Sequence, residues 1–476
     1  MTLRSAVRTV LALLVAGALV ASPAALEASG FQLAEQNASG LGNAYAGQAA
    51  GVKDASAIFF NPANLTRLPG KQFVLAVSPI GIATNFGDTG SGRPFLPSTP
   101  PLTIPVPLGG AGGDAGGWVP VPNAYFSLQA GSAWWLGIGV NVPFGLETDW
   151  EADWVGRFKA VKSKVQTINV NPTVAVKLSE SFSLGAGLSY QRLDAELSQN
   201  VAYGGIAFGA AGQTGSPAVI GSILTQLGGM PGLALEGPTV VEGDSSSWGW
   251  NVGATLKVGE AGRIAATYRS KVEHDLEGDA TFTGAPTFST SGPAGPVGTV
   301  LNGRFADGPV VANIELPDTL SVAASYEGEK VELLADWTWT GWGTIQDLVI
   351  DRTDGTPFST VPLLFEDTWR IGLGLNYRLS EPWTLRVGTA FDKTPVPDEH
   401  RTPRLPDQDR VWAAVGFQYR IGKSGAFDIG YAHLFVEDGT SNLPNQDAPT
   451  SPPSGTLVGG YTDNINVLSI QFKYSF

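Results

Sequence analysis

The chain has 476 residues, with 61 glycines, 10% aromatic residues, only 15% charged residues, no cysteine and a formal net charge of −14 at pH 7. Absent cysteine excludes disulfides and thiolate metal sites, and so acidic a balance argues against a nucleic-acid partner. Abundant glycine and aromatics with few charges fit twisted, aromatic-girdled strands better than helical domains.

At the start, Arg4 and Arg8 precede an apolar run from Val10 to Ala21, followed by small residues and Pro23. This is the layout of a secretory signal peptide, and cleavage is expected after Ala28, making 1–28 the leader. Residues 29–70 follow without alternation, rich in small residues, with Gly40, Gly42, Gly47, Gly51 and the run Asn61-Pro62-Ala63. Such a segment is too short to fold alone and must pack on something else.

From residue 71 to 476 apolar and polar residues alternate in segment after segment. Trp369, Ile371, Leu373, Leu375 and Tyr377 share one parity, and Arg370, Gly372, Gly374, Asn376 and Arg378 the other. The chain ends the same way, with Phe472, Tyr474 and Phe476 opposed by Gln471, Lys473 and Ser475. Period two with an apolar outer face is the pattern of a strand between lipid and a polar interior. Short connections around Gly131, Ser179, Gly259, Gly328, Ser380 and Lys423 alternate with long ones, expected at 83–120, 146–158, 197–245, 273–310, 341–364, 393–408 and 438–462. Short turns on one side and long loops on the other are the asymmetry of an outer-membrane barrel. The expectation is therefore an all-β, transmembrane antiparallel barrel of about fourteen strands, with residues 29–70 as a hatch inside it. Two long loops are apolar, one carrying Ile220, Ile223, Leu224 and Leu227 and the other Phe282, Phe288, Val297 and Leu301. They pack together as a lid or offer a landing surface for hydrophobic ligands.

Specific motifs sharpen this. Ser29-Gly30-Phe31-Gln32-Leu33, Ser39-Gly40-Leu41-Gly42-Asn43-Ala44-Tyr45-Ala46-Gly47 and Asn61-Pro62-Ala63 resemble the N-terminal hatch of the FadL/TodX family of outer-membrane transporters for long-chain fatty acids and hydrocarbons. Phe391-Asp392-Lys393-Thr394-Pro395-Val396-Pro397 and Leu405-Pro406-Asp407-Gln408-Asp409-Arg410 resemble the same family. The resemblance implies passive transport of hydrophobic small molecules with no cofactor and no energy-coupling partner, by a monomer among outer-membrane lipid and lipopolysaccharide. Ligand would bind above the hatch and leave sideways through a kink in the third strand, here Val142-Pro143-Phe144-Gly145. Pro143 cannot donate to a ladder and Gly145 permits a bend, which is the local chemistry such a kink needs.

By the same resemblance Phe31 and Asn61-Pro62-Ala63 are hatch positions, Phe31 reaching the ligand pocket. The positions matched to the family's basic carboxylate clamp are Leu197 and Glu366, neither of them basic. A ligand carboxylate beside Glu366 would meet like charge, so another base substitutes or the ligand is neutral. Arg192, Lys393 and Arg370 are the candidate bases, and Asp392 belongs to the same ligand-site motif. The rival readings are an adhesive surface barrel, a general porin and an outer-membrane enzyme. The last is opposed by a histidine set of only His274, His400 and His433 with no nucleophile elbow around a serine.

Overall fold

The computed structural model describes residues 30–94, 108–445 and 453–476. The expected signal peptide lies outside the described residues.

Fourteen antiparallel strands close into one barrel. They are β1 (Lys71–Asp88), β2 (Trp118–Gln129), β3 (Trp134–Asn141 and Gly145–Asp149), β4 (Lys162–Lys177) and β5 (Phe182–Val201). Then come β6 (Gly237–Val258), β7 (Gly262–Arg269 and Val272–Phe282), β8 (Gly308–Leu316 and Thr319–Glu327) and β9 (Val331–Thr340 and Asp347–Arg352). The last five are β10 (Pro357–Pro362 and Thr368–Arg378), β11 (Trp383–Asp392), β12 (Arg410–Ile421), β13 (Gly425–Val436 and Gly439–Leu443) and β14 (Leu457–Ser475). Each strand pairs with its sequence neighbour, and β14 pairs back onto β1 from Gln72↔Ser475 to Asp88↔Gly459. No edge is left at the closure, which is the condition for strands in lipid.

Alternation sets the two faces. On β3, Trp134, Leu136, Ile138 and Val140 are exposed, as are Ile371 and Leu373 on β10 and Phe427 and Ile429 on β13. These face outward, where apolar surface is stable only against hydrocarbon. The strands run further than alternation foretells: β6 begins at Gly237 and β7 reaches Phe282, inside stretches expected to be loops. Those extensions carry Glu242, Asp244, Glu273, Asp275, Glu277 and Asp279. In water the outward face is acidic while Val241, Val272, Leu276 and Ala280 turn inward, so the apolar-out signature is lost while the ladder continues.

Residues 30–67 form short helical turns, α1 (Ala38–Leu41), α2 (Gln48–Gly51), α3 (Ala57–Phe60) and a 3-10 turn (Pro62–Arg67). Leu41, Ala44, Ala50, Ile58 and Leu65 are fully buried. Their neighbours lie all round the ring. Ile58 meets Gly137 of β3, Pro62 meets Gly185 of β5, Leu334 of β9 meets Gly47, and Gly42 meets Gly416 of β12. A buried segment touching strands all around a closed ring can lie only inside it. The inward glycines are where this becomes possible: a Cβ at Gly416 would stand 2.8 Å from the Gly42 Cα, and one at Gly185 2.5 Å from the Ala63 amide. Asn61 fastens the segment. Its carboxamide donates to Ala49 O, Ala254 O and Thr255 Oγ1 and accepts from the Ala63 amide, capping the 3-10 turn.

Above the barrel, α4 (Tyr203–Gln213), α5 (Pro217–Gln226) and α6 (Gly295–Arg304) come from the two apolar loops. Tyr203, Ile223, Phe288, Leu301 and Phe305 are buried in one shared cluster, so these loops pack on each other, with Phe208, Ile220, Leu224 and Val297 at its margin.

Candidate functional site: a two-chambered cavity at an opening in the wall

The third strand is broken where Pro143 stands. β3 pairs with β4 from Trp134↔Val176 to Asn141↔Asn169, then resumes at Gly145↔Gln166. Residues 142–144 therefore face only residues 167 and 168, a bulge of one residue. Thr167 holds it, its hydroxyl accepting from the Phe144 amide and donating to the Phe144 carbonyl.

On its other side β3 separates from β2. The β2–β3 ladder covers only Ala124↔Val140 to Gln129↔Trp135, while β2 pairs with β1 all the way to Trp118. The freed edge of β3 is taken up by the inner segment: the Leu33 amide donates to Pro143 O and the Gly145 amide to Phe31 O. The freed edge of β2 carries Pro120 and Pro122. Pro79 and Pro120 stand opposite each other and can exchange no hydrogen bonds, so the imide nitrogens of 120 and 122 turn away from β1, toward the gap. Two donors that would otherwise go unpaired, at several kcal/mol each in hydrocarbon, are thereby absent. Toward the extracellular side the gap ends where the Ala115 amide bonds Thr84 O and the Asp149 amide bonds Ala115 O.

Behind this gap lies a cavity of about 520 Å³ lined by residues of the inner segment (Phe31, Glu35, Tyr45, Phe60) and of the wall (Arg370, Trp412). Odd residues of β4 from Ser163 to Thr173 point inward, yet Lys164 and Gln166 line this cavity beside inward Val165. Trp118, 66% exposed on the outer surface, lines it too.

A second chamber of about 130 Å³ is almost wholly apolar, lined by Leu193, Leu197, Val241, Leu276, Ile314 and Phe365 among others. Phe31, Leu146, Val165 and Leu405 border both chambers. Phe31 is fixed there by Trp342 at 4.8 Å and Phe144 at 5.9 Å between ring centroids.

The large chamber is charged but internally paired. Arg370 meets Asp336 at 3.4 Å and donates to Ala44 O, where Ala44 and Tyr45 adopt left-handed backbone. Arg410 meets Asp392 at 3.5 Å. Arg269 lies over the Phe59 ring and donates to Phe59 O at 2.9 Å. Burial pushes the Glu35 carboxyl up to about 7, against the pull of Arg410 and Arg370 and with the help of Asp392. A carboxyl raised in the folded state binds an extra proton between its ordinary 4.5 and about 7, so docking of residues 30–67 is firmest below that window and weakens as pH rises through it. Hydrogen-exchange protection of this segment should fall from about pH 5 to about pH 8, and Glu35→Gln should flatten that slope. An unchanged slope in the variant would contradict this role for Glu35.

The structure distributes the expected site residues unevenly. Phe31, Asp392 and Arg370 line the large chamber and Leu197 the small one. Val142 and Gly145 line the large chamber, and Pro143 and Phe144 form the bulge between them. Glu366 and Lys393 are corrected: Glu366 is largely exposed, pairs with Lys393 at 3.5 Å, and neither lines a chamber. The like-charge penalty expected beside Glu366 does not arise, because its carboxylate is in water. Arg192 is corrected as well. It sits on the outward parity of β5, bound to Asp194 and Asp244. Asn61, Pro62 and Ala63 dock the inner segment and touch neither chamber. Sequence reasoning passed over Arg410, Trp342, Trp118 and Lys164. Of these Trp118 was readable, since Trp118-Val119-Pro120-Val121-Pro122 puts two prolines where only an edge tolerates them.

A closed fourteen-stranded barrel with an internal segment, an apolar-walled cavity and a breached strand is the architecture of an outer-membrane transport protein. Residues 17–476 match the family described as outer membrane protein transport protein (OMPP1/FadL/TodX), and the chain belongs to it. It is 29% identical over 433 residues to the long-chain fatty acid transport protein of Escherichia coli, covering 89% of this chain and 91% of that one. A Pseudomonas aeruginosa FadL homologue superposes with a TM-score of 0.79 at 26% identity, over 94% of this chain and 100% of the other. The toluene transporter TodX of P. putida shares the fold, with a TM-score of 0.61 at 15% identity, over 95% and 99% of the respective chains. The family consists of transporters of the outer membrane.

Proposed function

We propose that this protein passively carries hydrophobic small molecules, long-chain fatty acids or neutral hydrocarbons, across the outer leaflet and releases them sideways through the gap between β2 and β3. The observation that supports this most is the gap itself, where the β2–β3 ladder stops at Ala124↔Val140 while β2 runs on along β1 to Trp118, with the cavity directly behind it. Residues 29–70 act as the hatch that closes the lumen, and 71–476 as the barrel. An apolar tail occupies the small chamber, Phe31 stands at its neck, and the route onward leads past Leu146 and Val142 to Trp118. A sideways route suits an insoluble ligand, because leaving into hydrocarbon avoids re-exposing its apolar surface to water. The protein works as a monomer amid lipid and lipopolysaccharide, without an energy-coupling partner.

Purified protein in detergent is expected to bind a long-chain fatty acid or alkane, measured by competition among fatty acid, alkane and toluene. Phe31→Ala removes the aromatic neck and should weaken binding about tenfold, the loss of ~1.5 kcal/mol of apolar contact. Protein that binds none of the three would reject the transport reading.

A further inference from the structure

We propose that Lys164 is the head-group station of the wall opening: its ammonium pairs with the carboxylate of an anionic amphiphile whose tail lies in the apolar chamber. The inference rests on the transport reading above and adds to it a residue that separates acids from neutral ligands.

Among the described residues that line the two chambers, each interior base already has a partner. Inside the large chamber stand Glu35, Asp336, Asp392, Asp407 and Asp463, against Arg269, Arg370 and Arg410. Arg370 is held by Asp336 and the Ala44 carbonyl, Arg410 by Asp392, and Arg269 by the Phe59 carbonyl and ring. In the small chamber Arg404 donates to Ser163 Oγ at 3.1 Å and Gln199 Oε1 at 2.7 Å, with Glu242 and Glu277 also lining the space. A ligand carboxylate carried inward would enter a region where acids outnumber bases and would displace existing pairs.

Lys164 differs in being unpaired. Among the described residues that line the cavity, it is the cation whose ammonium makes neither an ion pair nor a hydrogen bond. It lines the cavity from β4, across β3 from the edge that β2 leaves free. Its flanking partners in register are Glu147 on β3 and Glu196 on β5, and Glu196 is taken by Lys162 at 2.7 Å. Val165, the next residue along, borders both chambers, as does Leu146 across from it. A molecule with its head at Lys164 can thus lay its tail past these two side chains into the apolar chamber.

The test compares uptake of hexadecanoate and hexadecane by cells making the wild-type chain, Lys164→Gln or Lys164→Arg. The acid-to-alkane uptake ratio is expected to fall about three- to fivefold in the Gln variant, the scale of one partly exposed ion pair, and to recover in the Arg variant. A Gln variant with the wild-type ratio, while the wild type carries both ligands, would overturn this inference alone. Wild-type protein that carries neither would overturn the transport reading and this inference with it.

Discussion

Deleting residues 29–70 is expected to turn a sealed barrel into a leaky one, with a stable rise in planar-bilayer conductance and loss of selective uptake. The physical reason is the way this segment fills the lumen. It reaches the inner face of strands around the whole ring, and it does so backbone to backbone, at Gly42 against Gly416 and at Asn43 against Gly388. The barrel's own ladder is complete without it apart from the edge of β3, so the wall should survive its removal. A less drastic variant makes the same point with the segment present. Gly388→Leu and Gly416→Leu together place side chains where the Asn43 and Gly42 backbones now lie, and should undock the segment and raise conductance. Heat-modifiable mobility on gels checks that the barrel has formed. An adhesive barrel would keep its activity after the deletion. A general porin would already conduct in the wild type.

Much of this was legible in the sequence. Alternation at residues 369–378 and 471–476 recurs as β10 and β14, and the short turns fall between neighbouring strands. The short, non-alternating, small-residue stretch 29–70 points to a segment that packs on something else. What stayed hidden was hidden for physical reasons. Above the membrane the strand extensions lose their apolar outer face, so the first residues of β6 and the last of β7 fall in stretches expected to be loops. Parity also misleads there: buried Leu193 and exposed Arg192 and Asp194 reverse the apolar-out rule of the membrane zone, so alternation alone gives Arg192 no direction. Glu366 lies outside the described strands, where alternation gives no bearing on exposure. Arg410 closes a motif the sequence displays, yet only the register Asp392↔Arg410 shows that it faces Asp392 across the β11–β12 pair.

The ladder of β3 breaks between Asn141 and Gly145, around Pro143, and this break carries the central claim. The bulge consists of one residue too many, so deleting Pro143 restores one-to-one register, with Val142 opposite 168 and Phe144 opposite Thr167. Side-chain parity then runs unbroken, Phe144 still points inward to Phe31 and Trp342, and a straightened β3 narrows the gap to β2. Replacing Pro143 and Gly145 by valine is the milder form, since a Cβ at 145 meets only the end of Leu33, at 3.0 Å. Neither change touches Leu197, Phe365 or the charged pairs of the large chamber, so ligand binding should persist while the way out is sealed. The decisive measurement is hydrophobic-ligand uptake by cells carrying the Pro143 deletion, alongside ligand binding to the same purified protein. The account predicts binding near the wild-type level with uptake reduced to that of cells lacking the protein; uptake at the wild-type rate through the sealed wall would contradict it.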